Sequence, residues 1–323
     1  MRFIVFGVGA IGGTIAGKLA GADEEVIGIA RGEQLRALQM HGLTLETPEG
    51  DEHSRFPVFG SPAEAGIEPG DAILLTMKTQ DTAHALEQLR DAGVKDNPIV
   101  CIQNAVENER LALRLFPNVY GICVMLPASY LEPGIVRAYS TPRPGILDIG
   151  RYPHGTDKAC HEIAAALERG GFSAEADDEI MAQKYGKLLM NLGNSLQAAL
   201  GSASRSGPYY EALRSEGEAA LKAAGIKSGN ADWDSPRRGM QMRTVPVKGH
   251  AHPGGSSWQS LARGAGSIET DYLNGEISLL GRLHGVPTPA NDYFAALAAE
   301  MVRTQAPAGS IDPKRVEREL KLS

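Results

Sequence analysis

Lysine and asparagine side chains recur at helical spacing just past the middle of the chain. The set, spaced three, four and three residues apart, consists of Lys184, Lys187, Asn191 and Asn194. On a helix these four side chains form one stripe, with leucines on the neighbouring faces. A buried amide without a partner costs about 1 to 3 kcal/mol, so the stripe must find partners or face a cavity. An ammonium group in such a cavity can stabilise an oxyanion and give it a proton. The alternative is a solvated face, which fits Lys184 best.

A glycine-rich turn follows the first apolar run of the chain, which ends at Phe6. The turn consists of Gly7, Val8, Gly9, Ala10, Ile11, Gly12 and Gly13. A strand, a glycine turn and a helix in this order bring backbone N–H groups and a helix macrodipole up to a phosphate. Gly7 permits the tight turn, Gly9 lets a pyrophosphate touch the main chain, and Gly12 lets the helix lie close to the strand. The turn therefore predicts a dinucleotide site. A signal peptide and a turn that only packs tightly are the alternatives.

The second apolar run indicates which dinucleotide is bound. It ends at Arg31, about twenty residues after the glycines, where NAD-specific sites typically carry an acidic residue. A guanidinium group can meet a 2′-phosphate bidentately. The sequence therefore favours NADP(H) over NAD, although Glu33 lies only two residues further on.

Three later apolar runs, at 71–77, 98–102 and 119–126, are typical of strands buried in a parallel sheet. The residues that follow these runs include Lys78, Asn104 and Ala128. Ligands of open α/β sheets bind beyond the carboxyl ends of the strands. We therefore expect these three residues to line one crevice with the glycine turn and Arg31, whereas each alone is typical of an ordinary loop.

The alternation of strands and helices ends near residue 177. Residues 1–177 are predicted to form a Rossmann-type α/β dinucleotide-binding domain, and residues 178–323 an all-helical domain with a peripheral extension after about 306. The second half also contains Ser256 and Ser257, either of which can cap the helix that follows. The next predicted helix carries Glu269, Asp271 and Asn274.

Composition narrows the classes of partner. With 323 residues, 42% of them hydrophobic, the chain is typical of a soluble globular protein. A net charge of −7 argues against a nucleic-acid partner, and no apolar run approaches the roughly 18 residues of a membrane helix. Three widely spaced cysteines suit a reducing cytoplasm. The pair His250 and His252 has no acidic or cysteine residue at ligand spacing, so no metal is expected. The oligomeric state stays open, with a homodimer as one option.

Taken in chain order, these motifs resemble the ketopantoate reductase (2-dehydropantoate 2-reductase) family. The resemblance extends from Met1 to about Ala298. The motifs that carry it are Gly7 to Gly13, Arg31, Met77-Lys78, Gln103-Asn104, Tyr185-Gly186-Lys187-Leu188 with Asn191, and Ser256-Ser257 leading to Glu269-Thr270-Asp271-Tyr272-Leu273-Asn274-Gly275.

The resemblance implies NADPH-dependent reduction of a 2-keto acid, ketopantoate to pantoate, in pantothenate and coenzyme A biosynthesis. Lys187 would give the proton, and Glu269 would hydrogen-bond near the cofactor and the new hydroxyl. The substrate would lie between the domains, and its implied contacts are Lys78, Asn104, Asn191, Asn194, Ser195 and Ser257. The implied cofactor contacts are residues 7–12 of the glycine turn, Arg31, Lys78, Asn104, Ala128 and Glu269.

The chain departs from the family pattern at three places. The second amide of the family falls at Ser195, so that Asn194 lies one position early, and which of the two contacts the substrate stays open. Ala105 follows Asn104 where glycine is usual, and which of Ser256 and Ser257 meets the carboxylate is also open. Alternatives are a related two-domain dehydrogenase acting on another hydroxy or keto acid, and a non-catalytic NADP(H)-binding sensor. A sensor has no need of an interior proton donor such as Lys187.

Overall fold

The computed structural model describes residues 1–201, 206–229, 236–264 and 266–321. Its contacts divide the chain into two compact units. The first unit comprises Met1–Met181 and Trp233–His252, and the second comprises Ala182–Asp232 and Pro253–Ser323. Neither unit contains a helix long and apolar enough to cross a membrane within the ranges described.

The described strands belong to the first unit. They are β1 (Phe3–Phe6), β2 (Val26–Ile29), β3 (Leu43–Thr47), β4 (Gly50–Ser54), β5 (Val58–Phe59), β6 (Ala72–Leu75), β7 (Ile99–Cys101), β8 (Val119–Met125), β9 (Ala128–Glu132), β10 (Ile135–Ala138), β11 (Ser140–Pro142), β12 (Ile146–Arg151) and β13 (Met242–Thr244). The helices are α1 (Ala10–Gly21), α2 (Gly32–His41), α3 (Thr79–Asp91), α4 (Asn108–Leu113), α5 (Lys158–Arg169), α6 (Ile180–Asn191), α7 (Gly193–Leu200), α8 (Pro208–Ala223), α9 (Pro236–Gln241), α10 (Ser256–Ala262), α11 (Thr270–His284), α12 (Pro289–Thr304) and α13 (Pro313–Glu319).

A seven-stranded sheet forms the centre of the first unit. Its strand order is β12-β8-β7-β6-β1-β2-β5, and all neighbouring pairs are parallel except β12 with β8. Strands β2, β6 and β7 are buried along their whole length, as the continuous apolar runs predict. The fold class is therefore confirmed: a mixed α/β unit of Rossmann type precedes a helical C-terminal region.

A four-stranded sheet, in the order β4-β3-β10-β9, accompanies the large sheet. The sequence analysis missed β4, because Gly50–Ser54 is polar and largely exposed and so carries no apolar pattern. Its five residues pair antiparallel with β3. Tertiary pairing, rather than local preference, decides this strand.

The first unit regains a segment from late in the chain. The sequence placed a single boundary near residue 177, whereas residues 236–252 pack with the first unit. Strand β13 pairs antiparallel with β11, and the Arg237 guanidinium donates to both carboxylate oxygens of Asp148 at 2.7 and 2.8 Å. Because these partners are far apart in the sequence, no local pattern predicts that residues 236–252 pack with the first unit.

A lysine ammonium also holds this segment to the first unit. Lys248 Nζ donates to Glu46 at 2.6 Å and to Asp51 at 2.8 Å. Burial alone raises the pKa of Glu46, but hydrogen bonds from Lys248 and Arg137 outweigh it and bring the pKa below its usual value. The carboxylate therefore stays ionised, and its charge is matched by two cations.

The described part of the second unit is helical throughout, as the sequence predicts. The tail after residue 306, expected to be peripheral, packs against this unit. The N–H groups of Gly309 and Ile311 donate to the carbonyl oxygens of Ala198 and Ala199 at the end of α7, and Val316 is fully buried. The tail thus satisfies carbonyl groups that a helix end leaves unpaired.

Ala105 generates a prediction about stability, because its φ of +67° lies in the left-handed region. That conformation costs a residue with a Cβ about 1 to 2 kcal/mol relative to glycine. We expect Ala105→Gly to raise the free energy of unfolding by about 1 kcal/mol, measured by urea denaturation. Ala112→Gly in α4 is the matched control and should lower it, because glycine weakens a helix. A loss of stability in both variants would contradict the prediction.

Candidate active site

The glycine turn between β1 and α1 has the close packing that its sequence predicts. Gly7 adopts a φ of +106°, and a Cβ placed there would lie 2.8 Å from the backbone nitrogen of Met77. A Cβ at Gly12 would overlap Gly7 O and Thr76 Oγ1. The predicted reasons for glycine at these two positions, a tight turn and close packing of the helix, are thereby confirmed.

The middle glycine of the turn faces open space. No atom lies within 4 Å of a Cβ built on Gly9. Gly9 is also the N-cap of α1, and no side chain hydrogen bond caps the helix there. The first-turn N–H groups of a helix point outward and favour an anion. The turn therefore offers room and backbone donors on the side where Gly9 lies.

A glutamine that the sequence analysis missed fixes this turn from behind. Gln34 Nε2 donates to the carbonyl oxygen of Val8 at 2.8 Å, and Gln34 Oε1 accepts from the N–H of Gly134 at 2.7 Å. Gln34 is buried. The only signal available was a polar residue on an otherwise short helix, which is too common to interpret.

Arg31 lies at the N-cap of α2, directly after β2 and Ala30. Its side chain is 86% exposed and approaches Asp81 Oδ1 at 3.5 Å. An exposed ion pair of this kind contributes at most about 1 kcal/mol. The guanidinium can therefore exchange Asp81 for a phosphate at small cost.

Parallel neighbours in the sheet bring the predicted strand-end residues to one edge. Strands β2, β1, β6 and β7 are adjacent in this order, and they lead into Arg31, the glycine turn, Lys78 and Asn104, respectively. Ala128 belongs instead to the first position of β9, where it is buried. The predicted crevice residues thus share an edge, with Ala128 held in a second sheet.

From the sequence, Asp81 or Thr82 is predicted to cap the helix after Lys78, but helix α3 starts earlier. Its N-cap is Lys78, with no side-chain cap, so the predicted cap at Asp81 or Thr82 is wrong. Asp81 lies inside the first turn, and the Thr82 hydroxyl donates to Asn108 Oδ1 at 2.7 Å. The Thr82 hydroxyl is hydrogen-bonded to a buried residue of α4, Asn108, and does not cap α3.

The lysine and asparagine stripe of the second unit is divided between two helices. Residue 192 separates α6 from α7, so Asn194 does not share a helix with the other three. The expectation of a solvated face for Lys184 is wrong, because that residue is only 4% exposed. Lys187 is half-buried, and Asn191 is buried. The α6 members of the stripe therefore face the interior.

Asn194 and Ser195, adjacent on α7, differ in their hydrogen bonding. Ser195 Oγ donates to the Leu192 carbonyl at 3.0 Å and is buried against its own helix. Asn194 Oδ1 is buried and accepts no hydrogen bond from the described residues. A Cβ built on Gly255 would lie 2.6 Å from this oxygen, so Asn194 approaches the backbone that leads into α10.

The serines at the start of α10 do not cap it, so that prediction is wrong. The N-cap is Gly255, without a side-chain hydrogen bond, and its N–H donates instead to Gln197 Oε1 at 2.8 Å. The hydroxyl oxygens of Ser256 and Ser257 are buried and have no partner in the described chain. Gln197, which the sequence analysis missed, therefore positions the segment that carries both serines.

The two acidic residues at the start of α11 differ in their exposure to solvent. Glu269, the N-cap of α11, is buried, whereas Asp271 is exposed. Asn274 is buried, and its Nδ2 donates to the carbonyl of Leu192 at 3.3 Å and to Asn291 Oδ1 at 3.1 Å. The side chain of Asn274 thus reaches the residue at which α6 gives way to α7.

No group of three histidine, cysteine or acidic side chains suited to a metal ion occurs among the residues described. The ring of His252 instead packs edge-on against Tyr139, with centroids 5.1 Å apart. The candidate residues of the first unit are the glycine turn, two cations and Asn104, and those of the second unit are lysine, amide, hydroxyl and Glu269 side chains.

Comparison with known proteins places the chain in a family. Residues 3–154 match the family described as ketopantoate reductase PanE/ApbA, and residues 179–302 match its C-terminal domain. The chain belongs to the ketopantoate reductase family. Enzymes of this family are oxidoreductases that use NADPH, and the reaction is therefore of the ketopantoate-reductase type.

Individual relatives are similar along nearly their whole length. The 2-dehydropantoate 2-reductase of Pyrococcus horikoshii is 27% identical and covers 92% of this chain and 96% of its own. The crystal structure of a ketopantoate reductase of this family from Ralstonia eutropha JMP134 superposes with a TM-score of 0.78 at 28% identity, covering 94% and 99% of the two chains. D-mandelate dehydrogenase in a ternary structure with NADH and anilino(oxo)acetate shares the fold, with a TM-score of 0.79 at 22% identity over 94% and 99% of the chains.

The turn geometry predicts that alanine at Gly12 lowers stability, whereas alanine at Gly9 lowers the affinity for NADPH. Gly12→Ala should lower the free energy of unfolding by about 1 to 3 kcal/mol, because the added methyl overlaps main-chain and threonine oxygens. Gly9→Ala should leave it within about 0.5 kcal/mol, yet weaken NADPH binding by filling the space in front of the turn. Chemical denaturation and fluorescence titration check the two effects. Equal stability of the two variants would refute this account of the turn.

Proposed function

We propose that this protein reduces ketopantoate to pantoate, taking the hydride from NADPH and the proton from Lys187, in pantothenate and coenzyme A biosynthesis. The observation that carries the proposal is the set of buried, unpaired polar atoms in the second unit, on Asn194 and Ser257. Native proteins rarely leave such atoms without partners. A ligand whose hydroxyl group donates to Asn194 Oδ1 and whose carboxylate accepts from Ser257 Oγ would satisfy them.

The dinucleotide half of the proposal relies on the first unit. NADPH, when bound, supplies the hydride. Its pyrophosphate would lie against residues 7–12, where Gly9 leaves open space and α1 presents uncapped N–H groups. The 2′-phosphate would lie on Arg31, an exposed guanidinium whose ion pair with Asp81 is long. Lys78 and Asn104, at the ends of neighbouring strands, would contact the remainder of the cofactor.

Lys187 is the residue best suited to protonation. Hydride addition to a keto carbon leaves negative charge on the oxygen, which an ammonium stabilises and then neutralises by giving up a proton. Lys187 is half-buried and so remains accessible to a bound molecule. We assign the donor to Lys187 in preference to Lys184 because Lys187 holds the family spacing to Leu188 and Asn191.

The amides and hydroxyls of the second unit divide the substrate contacts. The Ser195 hydroxyl donates to the Leu192 carbonyl. We therefore assign the second substrate-binding amide to Asn194 and the first to Asn191. Ser257, whose hydroxyl has no partner among the described residues, would donate to the substrate carboxylate. Glu269, buried at the N-cap of α11, would accept from the new hydroxyl.

The chief alternative is the same chemistry on a different 2-keto acid. D-mandelate dehydrogenase has a similar fold, so the fold by itself does not select the side chain of the substrate. A panel of 2-keto acids, followed through NADPH absorbance, separates the two. Consumption of ketopantoate at the highest kcat/KM supports the proposal, and preference for an aromatic 2-keto acid supports the alternative.

The role of Lys187 can be tested by substitution. Lys187→Ala should lower kcat by about 10² to 10³ or more, because the alkoxide loses both its counter-charge and its proton donor. The Kd for NADPH should stay within about threefold. Lys222→Ala, at an exposed position of α8, is the control and should keep the parent kcat. Equal turnover in Lys187→Ala and the parent would eliminate this lysine as the donor. If the parent itself turned over no 2-keto acid, a non-catalytic NADP(H)-binding sensor would be the alternative.

Cofactor preference rests on a different residue. Arg31→Ala should weaken NADPH binding about 10- to 100-fold, the range of a charged hydrogen bond to phosphate, and leave NADH binding unchanged. Arg36→Ala is the matched control, an exposed arginine on the same helix, and should change neither affinity. Both are measured by titration calorimetry. If the parent binds NADH and NADPH equally, Arg31 does not read the 2′-phosphate.

A further inference from the structure

A buried network of side chains lies beneath the ends of β6 and β7. Asn108, the first residue of α4, is at its centre and is fully buried. Its Nδ2 donates to the carbonyl oxygen of Asn104 at 2.9 Å and to Thr79 Oγ1 at 3.2 Å. The Thr79 hydroxyl in turn donates to the same Asn104 carbonyl at 3.3 Å. Two donors therefore hold one backbone oxygen of the residue proposed to meet cofactor and substrate.

Thr82 fixes the orientation of the Asn108 amide. Its hydroxyl donates to Asn108 Oδ1 at 2.7 Å and accepts from Gln103 Nε2 at 3.0 Å. A carbonyl oxygen can only accept, so the amide nitrogen of Asn108 must face Asn104, and its oxygen must face Thr82. The single hydroxyl proton of Thr82 is thus committed to Asn108. The network has one arrangement.

The network joins two segments that the proposed function needs at fixed positions. Thr79 directly follows Lys78, and Gln103 directly precedes Asn104. The next residue, Ala105, is held in the left-handed region, a conformation that a loop of this sequence would leave if it were not restrained. Buried side chains that hydrogen-bond to one another and to the Asn104 carbonyl supply such a restraint.

We propose that Thr82 and Asn108 are positioning residues, which set Asn104 and Lys78 for the nicotinamide half of the cofactor and for the keto acid. The inference rests on the proposed function. Their side-chain donors are committed to Asn108, Thr79 and the Asn104 carbonyl, so we assign neither of them a ligand contact. They act through the Asn104 carbonyl and through Thr79.

The test compares two substitutions at one position. Thr82→Val keeps the shape but removes both hydrogen bonds, and Thr82→Ser keeps the hydroxyl. We expect kcat/KM for ketopantoate to fall about 10- to 100-fold in Thr82→Val, the size of a misplacement of about 1 Å, and to recover within about threefold of the parent in Thr82→Ser. Affinity for adenosine 2′,5′-bisphosphate, which has the 2′-phosphate and no nicotinamide, should be equal in all three proteins.

A second readout does not require turnover. Amide hydrogen exchange of the segment 102–108 in the cofactor-free protein should be faster in Thr82→Val than in the parent and in Thr82→Ser. NADPH affinity should fall in Thr82→Val while that for adenosine 2′,5′-bisphosphate does not. If the parent reduces no 2-keto acid, the proposed function fails, and these two measurements still decide the positioning role. If Thr82→Val does not fold, Thr79→Val and Thr79→Ser replace the pair, with the same direction expected.

Two outcomes would overturn the inference. One is equal kinetics and equal exchange in Thr82→Val and Thr82→Ser, which would show that the hydroxyl positions nothing. The other is a parallel loss of affinity for NADPH and for adenosine 2′,5′-bisphosphate in Thr82→Val. That would indicate a general loss of structure in place of a displaced Asn104.

Discussion

The first unit depends on the absence of a side chain at two positions of one turn. The backbone of Gly7 lies against Met77, and the space beside Gly12 is already filled by Gly7 O and by Thr76 Oγ1. Thr76 Oγ1 donates to the carbonyl oxygens of Phe6 and Gly7, so the end of β6 clamps the turn that follows β1. Because interiors are close-packed, even one methyl group cannot enter. At Gly9, by contrast, no described atom lies within 4 Å of a Cβ built on the backbone, so the turn is open on that side.

Two sets of buried polar groups, one from each unit, differ in their hydrogen bonding. In the first unit, Gln103, Thr82 and Asn108 satisfy one another and a backbone carbonyl. In the second, Asn194 Oδ1 and Ser257 Oγ are enclosed yet unpaired within the described residues. A satisfied network costs little and fixes a single arrangement, whereas an unsatisfied one is destabilising until a partner arrives. The first set therefore holds the loop that carries Asn104, and the second can receive a polar molecule.

The returning segment, residues 236–252, adds a constraint to the first unit. It is held by strand pairing between β13 and β11, by the fork from Arg237 to Asp148, and by Lys248 on Glu46 and Asp51. Its end lies only a few residues before Ser256 and Ser257. Within the second unit, Gln197 anchors the start of the serine segment through the Gly255 N–H.

The amino-acid sequence by itself determined that a strand, a glycine turn and a helix follow one another at the N-terminus. It also determined the strand ends at Arg31, Lys78 and Asn104, and the change to helices near residue 177. Apolar periodicity and glycine placement are local properties, and they need no knowledge of distant partners. Only the tertiary structure decided which polar residues are buried and with whom they pair. Lys184 turned inward, Thr82 bonded Asn108 where a helix cap was expected, and Ser195 bonded its own helix and left Asn194 unpaired. Each of these depends on groups far apart in the sequence, and one-dimensional spacing carries no information about their encounter.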